Sequence, residues 1–310
     1  MTKLGTTDLD VFPLCLGGNV FGWTADERAS FAVLDAYVAA GGNFIDSADV
    51  YSAFAPGNSG GESETIIGRW LAARGSHADI VVATKGGQLA PHNGLSAQSV
   101  KAAAEDSLRR LGVETIDLYY AHRDDKVTPV EETVTAYDEL VREGKVRYVA
   151  ASNFSAKRLA DSLAFADAEG LARYVALQPH YNLVERAGFE SEYAELLREQ
   201  GLATVPYFAL ARGFLTGKYR PGVEVDSPRA GGAKQYLDER GLRVLAALDE
   251  VAAAHDTTVA AVSLAWLAAQ PTVVAPIASA RDTEQLADLL SMATLTLTDA
   301  ELATLTRASD

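Results

Sequence analysis

Short apolar segments alternate with longer amphipathic segments along most of the 310-residue chain. The apolar segments predict β-strands at residues 14–16, 43–45, 80–83, 116–120, 147–151, 174–177, 203–205 and 273–277. The amphipathic segments predict helices at residues 26–40, 62–73, 97–111, 130–142, 156–168, 189–199 and 259–269. Because parallel neighbours need a long return connection, this alternation predicts parallel strands joined by helices. Eight such strands fit a closed (β/α)8 TIM barrel better than an open sheet.

Two segments lie outside this repeat. Residues 1–14 predict a short β-hairpin that covers the bottom of the barrel. Residues 212–240 are rich in Gly, Pro and Arg and predict a long loop that leads into an added helix at 242–254. No linker, low-complexity tract or second core interrupts the pattern, so we predict one domain over residues 1–310 with long loops on the C-terminal face.

The charge and cysteine content restrict the partners and the compartment. The formal net charge is −15, so we expect a solvated acidic surface and neither nucleic acid nor an anionic membrane as partner. A phosphate-bearing ligand would need local Arg or Lys. Cys15 is the one cysteine, and it cannot form an internal disulfide. Since no signal peptide and no apolar run of ~20 residues is found, the expected location is the cytoplasm.

Ionisable side chains directly follow three neighbouring strand segments. Asp46 follows the second strand with Tyr51 five residues later, Lys85 follows the third, and His122 follows the fourth. Each has an ordinary alternative explanation as a turn former, surface residue, structural imidazole or packed ring. Barrel chemistry, however, occurs at the C-terminal ends of the strands. The combination therefore predicts an active site at this rim.

The motifs that contain these residues resemble those of the aldo-keto reductases. They are Asn-Phe-Ile-Asp-Ser-Ala-Asp-Val-Tyr at 43–51, Ala-Thr-Lys at 83–85 and Tyr-Tyr-Ala-His at 119–122, with Leu-Gly-Thr-Thr at 4–7, Leu-Gly-Gly at 16–18 and Gly-Phe-Leu-Thr-Gly-Lys-Tyr at 213–219. The resemblance extends over nearly the whole chain. It is greatest to the bacterial branch of the family and the branch of the potassium-channel β subunits. It implies NADP(H)-dependent reduction of a carbonyl substrate, with Tyr51 as proton donor and His122 orienting the carbonyl.

The same roles agree with simple acid–base chemistry. A free phenol has a pKa of ~10, which is too high for an efficient acid at neutral pH. The resemblance makes Lys85 and Asp46 the pair that tunes Tyr51. A nearby ammonium stabilises a phenolate, so we expect Lys85 to lower the pKa of Tyr51. Asp46 would keep Lys85 charged and in position.

The cofactor site does not follow the common nucleotide-binding motifs. No Gly-x-Gly-x-x-Gly or Walker stretch is present, and the glycine-rich residues 57–61 lack a lysine and predict a rim loop. The resemblance implies that Ser152, Asn153 and Gln178 bind the carboxamide and that Tyr207 stacks on the nicotinamide. The remaining NADP(H)-binding residues that it implies are Gly18, Asn19, Asp46, Phe208, Leu210, Arg212, Gly213, Lys218, Arg229, Ser279, Arg281, Gln285 and Asp288.

Arg281 favours NADP over NAD, because a planar guanidinium suits a phosphate monoester better than a ribose diol. Three positions depart from the family's pattern. Phe208 stands where a serine is usual, which leaves backbone contacts there. Ser279 replaces a glycine, and Asp288 with the following leucine replaces a Glu-Asn pair at the adenine.

Two other functions fit parts of the sequence. The first is a regulatory or redox-sensing subunit that binds cofactor with little turnover; the full set of four rim residues favours an enzyme. The second is a metal-dependent barrel hydrolase. No two of the five histidines (His77, His92, His122, His180 and His255) share a strand or lie four residues apart on a helix. We therefore predict no metal site. The apolar side chains of Trp23, Phe54 and Tyr219 are candidates for the substrate pocket.

Overall fold

A computed structural model describes residues 1–76, 78–226 and 230–310. Its main sheet contains eight parallel strands: β3 (Cys15–Gly17), β4 (Phe44–Asp46), β5 (Val81–Gly86), β6 (Ile116–Ala121), β7 (Val146–Ser152), β8 (Tyr174–Gln178), β9 (Ala203–Thr204) and β10 (Ile277–Ala278). The strands follow one another in chain order, and β10 pairs with β3. This arrangement confirms the predicted (β/α)8 fold.

The ring closes between β9 and the segment before β10. Thr204 and Val273 form a parallel bridge, and the amide of Val274 donates to the carbonyl of Thr204 at 3.0 Å. Pro276 has no amide hydrogen to continue the ladder. This explains why regular pairing begins at Ile277, four residues later than the start of the predicted strand at 273.

An antiparallel hairpin precedes the barrel, as predicted for residues 1–14. It consists of β1 (Thr2–Lys3) and β2 (Asp10–Val11). Its side chains Leu4, Leu9 and Val11 are buried in one cluster with inward-facing residues of the strands, such as Leu118. The hairpin therefore closes the N-terminal end of the barrel and leaves the C-terminal end open for a site.

The helices form the outer layer. They are α1 (Glu27–Ala39), α2 (Glu62–Arg74), α3 (Ala97–Leu111), α4 (Val130–Arg142), α5 (Ala156–Glu169), α6 (Ala187–Glu192), α7 (Ala194–Gln200), α8 (Ala230–Lys234), α9 (Glu239–Ala254), α10 (Val259–Ala268), α11 (Thr283–Leu290) and α12 (Asp299–Ala308). Side-chain caps fix several of their starts. Ser96, Ser155 and Thr258 each accept a hydrogen bond from the third residue after them.

The helices differ from the sequence expectations at three places. The helix predicted over 189–199 is two helices, α6 and α7, because the backbone at Tyr193 (φ −119°) interrupts it. The predicted loop 212–240 contains the 3-10 helix Ala211–Thr216 and the short α8. Finally, α11 and α12 are not among the predicted helices, although Thr298 and Glu301 form a capping box at the start of α12.

Among the described residues, no single helix is long and apolar enough to cross a bilayer. The consecutive helices α9 and α10 meet that length and composition together, but they are bent by 98° relative to each other.

Candidate active site

The barrel brings the four predicted rim residues together at the C-terminal ends of β4, β5 and β6. Asp46 is the last residue of β4, Lys85 lies in β5, and His122 directly follows β6. Tyr51 lies in the loop after β4. Its ring packs edge to face against the imidazole of His122, with the ring centres 6.2 Å apart. The sequence predicted this convergence correctly.

Lys85 is the centre of this group. Its side chain is fully buried, and its ammonium donates to Asp46 Oδ2 at 2.7 Å, to the carbonyl of Ser47 at 2.6 Å and to the hydroxyl of Tyr51 at 2.9 Å. An ammonium has three hydrogens, so all of them are satisfied. Because every donor has a fixed acceptor, the ammonium cannot turn away from Tyr51.

The pKa of Tyr51 is shifted in the direction opposite to the sequence expectation. Burial raises the pKa well above its usual range, and Asp46, which accepts a hydrogen bond from the phenol at 3.2 Å, raises it further. The phenol therefore holds its proton at neutral pH. This state is the one that a proton donor requires before reaction.

His122 is neutral in the same environment. Burial, followed by the positive charges of Lys85 and Arg123, holds the pKa of the imidazole well below its usual range. A neutral imidazole carries one N–H donor. Its Nδ1 is buried with no hydrogen-bond partner among the described residues. The ring can therefore offer one hydrogen bond to a ligand without carrying a charge.

A second polar group lies on β7, β8 and the segment after β9. The hydroxyl of Tyr207 donates to Asn153 Oδ1 at 2.8 Å, and Asn153 Nδ2 donates to Ser152 Oγ at 3.0 Å. Ser152 Oγ donates in turn to the carbonyl of Gln178 at 2.9 Å. Gln178 Nε2 donates to Asp46 Oδ1 at 2.9 Å, which connects this group to the first one. The two groups thus form one continuous, preorganised network.

A cavity of about 1100 Å³ opens above this network. Most of the predicted site residues line it: Asn19, Tyr51, His122, Ser152, Asn153, Gln178, Tyr207, Phe208, Leu210, Arg212, Gly213, Lys218, Ser279, Arg281, Gln285 and Asp288. Asp46 and Lys85 lie behind Tyr51 and do not reach the wall. Arg229 lies outside the described residues.

Gly18 is the other predicted residue that does not reach the wall. Its amide donates to the carbonyl of Asp46 at 2.7 Å, and its carbonyl accepts from Ser63 Oγ at 2.8 Å. Gly17 lies on the wall instead. A Cβ on Gly17 would lie 2.6 Å from Ser279 Oγ and 2.9 Å from Ile277 Cγ2, so a larger residue there would force these side chains to shift.

The segment that follows Tyr207 has an unusual backbone. Phe208 (φ 51°), Ala211 (φ 47°) and Arg212 (φ 59°) all adopt left-handed conformations that L-residues rarely populate. Two contacts support the segment. Asn182 Nδ2 donates to the carbonyl of Phe208 at 3.0 Å, and the guanidinium of Arg212 lies 4.3 Å from the Phe208 ring centre. Strained backbone of this kind concentrates at ligand-binding sites.

The far end of the cavity is formed by the segment after β10. Ser279 Oγ donates to Asn19 Oδ1 at 2.6 Å, and the amide of Arg281 donates to Gln285 Oε1 at 3.2 Å. The guanidinium of Arg281 has no hydrogen bond or ion pair with any described residue, although it lines the cavity. The ammonium nitrogen of Lys218, in the loop after β9, lies 5.3 Å from the ring centre of Tyr219. Arg281 and Lys218 thus bring two positive charges to the cavity wall, and Asp288 brings one negative charge.

Several wall residues were not among the predicted site residues. Gln88 and Arg123 follow β5 and β6, and His180 stacks on Tyr207 with ring centres 5.4 Å apart. Their positions immediately beyond strand ends are the signal that could have identified them. Of the three predicted apolar candidates, Trp23 and Phe54 line the cavity. The third, Tyr219, is buried beneath Lys218 and does not.

A sequence model of the Aldo/keto reductase family matches residues 13–310. The chain belongs to this family. It is 33% identical over 305 residues to the uncharacterized oxidoreductase YrpG of Bacillus subtilis, which covers 96% of this chain and 91% of the relative. It is 34% identical to a probable voltage-gated potassium channel subunit beta of Oryza sativa, in a match that covers 92% of this chain and 88% of the relative. It is 31% identical to norsolorinic acid reductase A of Aspergillus parasiticus, in a match that covers 94% of this chain and 76% of the relative.

The aldo/keto reductase fold carries no group of three or more His, Cys, Asp or Glu that could hold a metal ion within residues 1–76, 78–226 and 230–310. His77, one of the five histidines considered above, lies outside these residues.

Proposed function

We propose that this protein reduces the carbonyl group of an aldehyde or ketone to an alcohol with NADPH as the reductant, and that Tyr51 donates the proton. One observation carries the proposal. Tyr51 lines the cavity, and its hydroxyl accepts a hydrogen bond from the buried Lys85 at 2.9 Å. A protonated phenol backed by a fixed ammonium is suited to give up its proton to an oxygen that becomes negative.

Lys85 acts when that proton leaves. The phenolate that remains on Tyr51 would be unstable in a buried site without a nearby cation. The ammonium of Lys85 supplies this cation, and Asp46 balances its charge at 2.7 Å. Lys85 and Asp46 therefore stabilise the product state of the proton transfer without touching the substrate.

His122 orients the carbonyl. A neutral imidazole donates one hydrogen bond, and its ring lies edge to face with that of Tyr51. Tyr51 and His122 would both donate to the same carbonyl oxygen, which stabilises the charge that develops there during reduction. Since both groups are held by the barrel framework, they need little rearrangement when the charge develops.

The residues present fit a dinucleotide cofactor. A cavity of about 1100 Å³ exceeds the usual ~300–1,000 Å³ of small-ligand sites, which leaves room for a cofactor and a substrate together. Ser152, Asn153 and Gln178 would hold the carboxamide, and Tyr207 would stack on the nicotinamide ring. Arg281, whose guanidinium has no partner among the described residues, would bind the 2′-phosphate of NADP. The bound cofactor supplies the hydride that the carbonyl carbon accepts.

A second function, that of a cofactor-binding regulatory subunit with little turnover, is favoured by the relative named as a potassium channel subunit beta. The two proposals differ in turnover. We therefore propose to measure the consumption of NADPH and of NADH with a panel of aromatic aldehydes, ketones and quinones. Reduction of several aldehydes with NADPH, and slower reduction with NADH, would support the enzyme. Tight NADPH binding with no consumption across the panel would contradict it and favour the regulatory subunit.

A further inference from the structure

Two polar side chains on the cavity wall have no partner in the part of the protein that the structure describes. Arg123 directly follows His122, is exposed, and makes no hydrogen bond or ion pair with a described residue. Gln88 is half-buried, and its side-chain amide also has no described partner. Neither residue has a role in the proton transfer described above.

These two residues lie on adjacent loops. β5 and β6 are parallel neighbours, with Gly86 paired to Ala121, and the amide of His122 donates to the carbonyl of Gly86 at 3.1 Å. Gln88 therefore leaves β5 beside the point where Arg123 leaves β6. Both are delivered to the cavity next to His122, which is where a substrate carbonyl would bind.

The two acidic residues that follow Arg123 in the sequence form no ion pair with it. Asp124, the next residue, is almost fully buried and forms an ion pair with Arg158 at 3.1 Å. The following residue, Asp125, accepts from the amide of Leu95 at 2.7 Å and from the hydroxyl of Thr128 at 2.6 Å. The adjacent carboxylates are thus engaged elsewhere. In a protein of net charge −15, a cation left unpaired on a cavity wall points to an anionic ligand.

The same cavity has an aromatic wall. Trp23 and Phe54 lie on the loops after β3 and β4, and their rings meet edge to face with centres 4.8 Å apart. Phe54 is 62% exposed, so most of its ring faces the open cavity. An apolar or aromatic group could pack against the exposed ring of Phe54.

We infer that Arg123 and Gln88 form a carboxylate-binding subsite, and that the substrate is an aromatic or apolar aldehyde or ketone that carries a carboxylate. The guanidinium and the amide would donate to the two carboxylate oxygens. The Trp23–Phe54 pair would contact the apolar part of the substrate. This inference rests on the proposed carbonyl reduction, because it deepens that function by naming the substrate class.

The test compares an acid with its neutral ester. We propose to measure kcat/KM with NADPH for 4-carboxybenzaldehyde and for methyl 4-formylbenzoate, in the wild type and in Arg123→Gln. We expect the wild type to prefer the acid, mainly through a lower KM. The ratio of kcat/KM for acid over ester should fall about tenfold in Arg123→Gln, as expected for one partly exposed charge-assisted contact. Arg123→Lys keeps the positive charge but not the paired N–H donors of the guanidinium, so this variant should retain part of the preference for the acid over the ester.

Arg109→Gln is the matched control, since Arg109 is 70% exposed, pairs with Asp106 and does not line the cavity. The ratio should not change in this variant. Equal kcat/KM for acid and ester in the wild type would overturn the inference. So would a loss of NADPH affinity in Arg123→Gln with an unchanged ratio, which would assign Arg123 to the cofactor.

A binding measurement separates failure of the subsite from failure of the proposed function. We propose to titrate the holoenzyme, saturated with NADP⁺, with 4-(hydroxymethyl)benzoate and with its methyl ester. Tighter binding of the acid in the wild type, and about tenfold weaker binding in Arg123→Gln, would support the subsite even without turnover. No difference between the two ligands or the two proteins would overturn it, whether or not aldehydes are reduced.

Discussion

The ammonium of Lys85 lies 2.9 Å from the phenol oxygen of Tyr51 and 2.7 Å from Asp46 Oδ2, while the phenol donates to the same carboxylate oxygen at 3.2 Å. The three groups therefore form a closed triangle of hydrogen bonds. In this triangle the phenol is both an acceptor and a donor. Asp46 favours its protonated form, and Lys85 favours the phenolate that results from proton transfer. The proton of Tyr51 is thus held in the resting state and is released only when a stronger acceptor forms.

The first prediction concerns Tyr51 itself. Tyr51→Phe removes the proton donor and preserves the ring, so kcat for aldehyde reduction should fall by ~10²–10⁴-fold. NADPH affinity, measured by fluorescence quenching, should change little. Tyr148→Phe is the control, since Tyr148 donates to Asp8 far from the cavity and its loss should not affect kcat. Near-wild-type reduction by Tyr51→Phe would show that another group supplies the proton.

The second prediction concerns the pH dependence of reduction. Reduction requires protonated Tyr51, so kcat is lost as the pH rises through the pKa of the phenol. Asp46 raises this pKa through its charge and its hydrogen bond. Asp46→Asn removes that contribution, and the alkaline limb of the kcat profile should move to lower pH. The midpoint will belong to the coupled group and not to Tyr51 alone.

The profile is to be recorded at saturating substrate, with circular dichroism to confirm that the variant is folded at each pH. Ser47→Ala is the control, because Lys85 bonds the backbone carbonyl of Ser47 and not its hydroxyl. An alkaline limb that is the same in Asp46→Asn and in the wild type would mean that Asp46 does not set the protonation of Tyr51.

The sequence predicted the barrel and its rim residues because both depend on local patterns. Strand and helix periodicity is local, and β4, β5 and β6 each end in or beside an ionisable side chain. The direction of the Tyr51 pKa shift was wrong for a physical reason. It depends on the burial of the phenol and on the Asp46–Tyr51 hydrogen bond, which spacing in the sequence does not reveal.

The C-terminal part of the chain shows a different limit. Because Pro276 lacks an amide hydrogen, the last regular strand begins at Ile277 and not at residue 273. The helix α11 was not predicted, although Asp282 caps it. The N-cap residues Asp282 and Thr298 are the sequence signals that indicate α11 and α12. In contrast, the Tyr207–Asn153–Ser152–Gln178 network joins three separate strands and arises only when the barrel closes.

The third prediction concerns cofactor choice. Arg281 lines the cavity without a hydrogen-bond or ion-pair partner among the described residues, so NADPH should bind more tightly than NADH. Arg281→Ala should weaken the affinity for NADPH by about tenfold and leave the affinity for NADH nearly unchanged. A charge-assisted contact contributes roughly 1.5–3 kcal/mol when well buried and less when half-exposed. The dissociation constants can be measured by quenching of the tryptophan fluorescence, because Trp23, one of three tryptophans, lines the cavity. Arg307→Ala, on the exposed face of α12, is the control. Equal affinities of the wild type for both cofactors would contradict this role of Arg281.

The last prediction concerns stability and the buried Asp49, which lies two residues before Tyr51. Asp49 Oδ2 accepts from the amides of Gly87 and Leu89, at 3.1 and 3.3 Å, and so anchors the loop that carries Gln88. Oδ1 is buried with no hydrogen-bond partner among the described residues. Burial, together with the charge of Glu64, raises the pKa of Asp49 from 3.8 to about 6.

A carboxyl whose pKa is raised on folding stabilises the folded state while it is protonated, and this contribution is lost as the pH rises from 3.8 through about 6. Asp49→Asn mimics the protonated form at every pH. The free energy of unfolding of the wild type should therefore fall relative to Asp49→Asn by about 1 kcal/mol between about pH 5 and pH 7.5, since one pKa unit corresponds to about 1.4 kcal/mol. A pH-independent effect of the new buried amide on the free energy of unfolding does not matter, because only the change of this free energy with pH is compared.

Asp125→Asn is the matched control for this measurement. Although burial raises the pKa of Asp125, hydrogen bonds from Thr128, Leu95 and Val127 lower it to about 2. Asp125 is thus ionised in both the folded and the unfolded chain above about pH 5, and its substitution should change stability by the same amount throughout the range. Denaturant unfolding at several pH values gives both differences. A difference between the wild type and Asp49→Asn that stays constant with pH would contradict the raised pKa of Asp49.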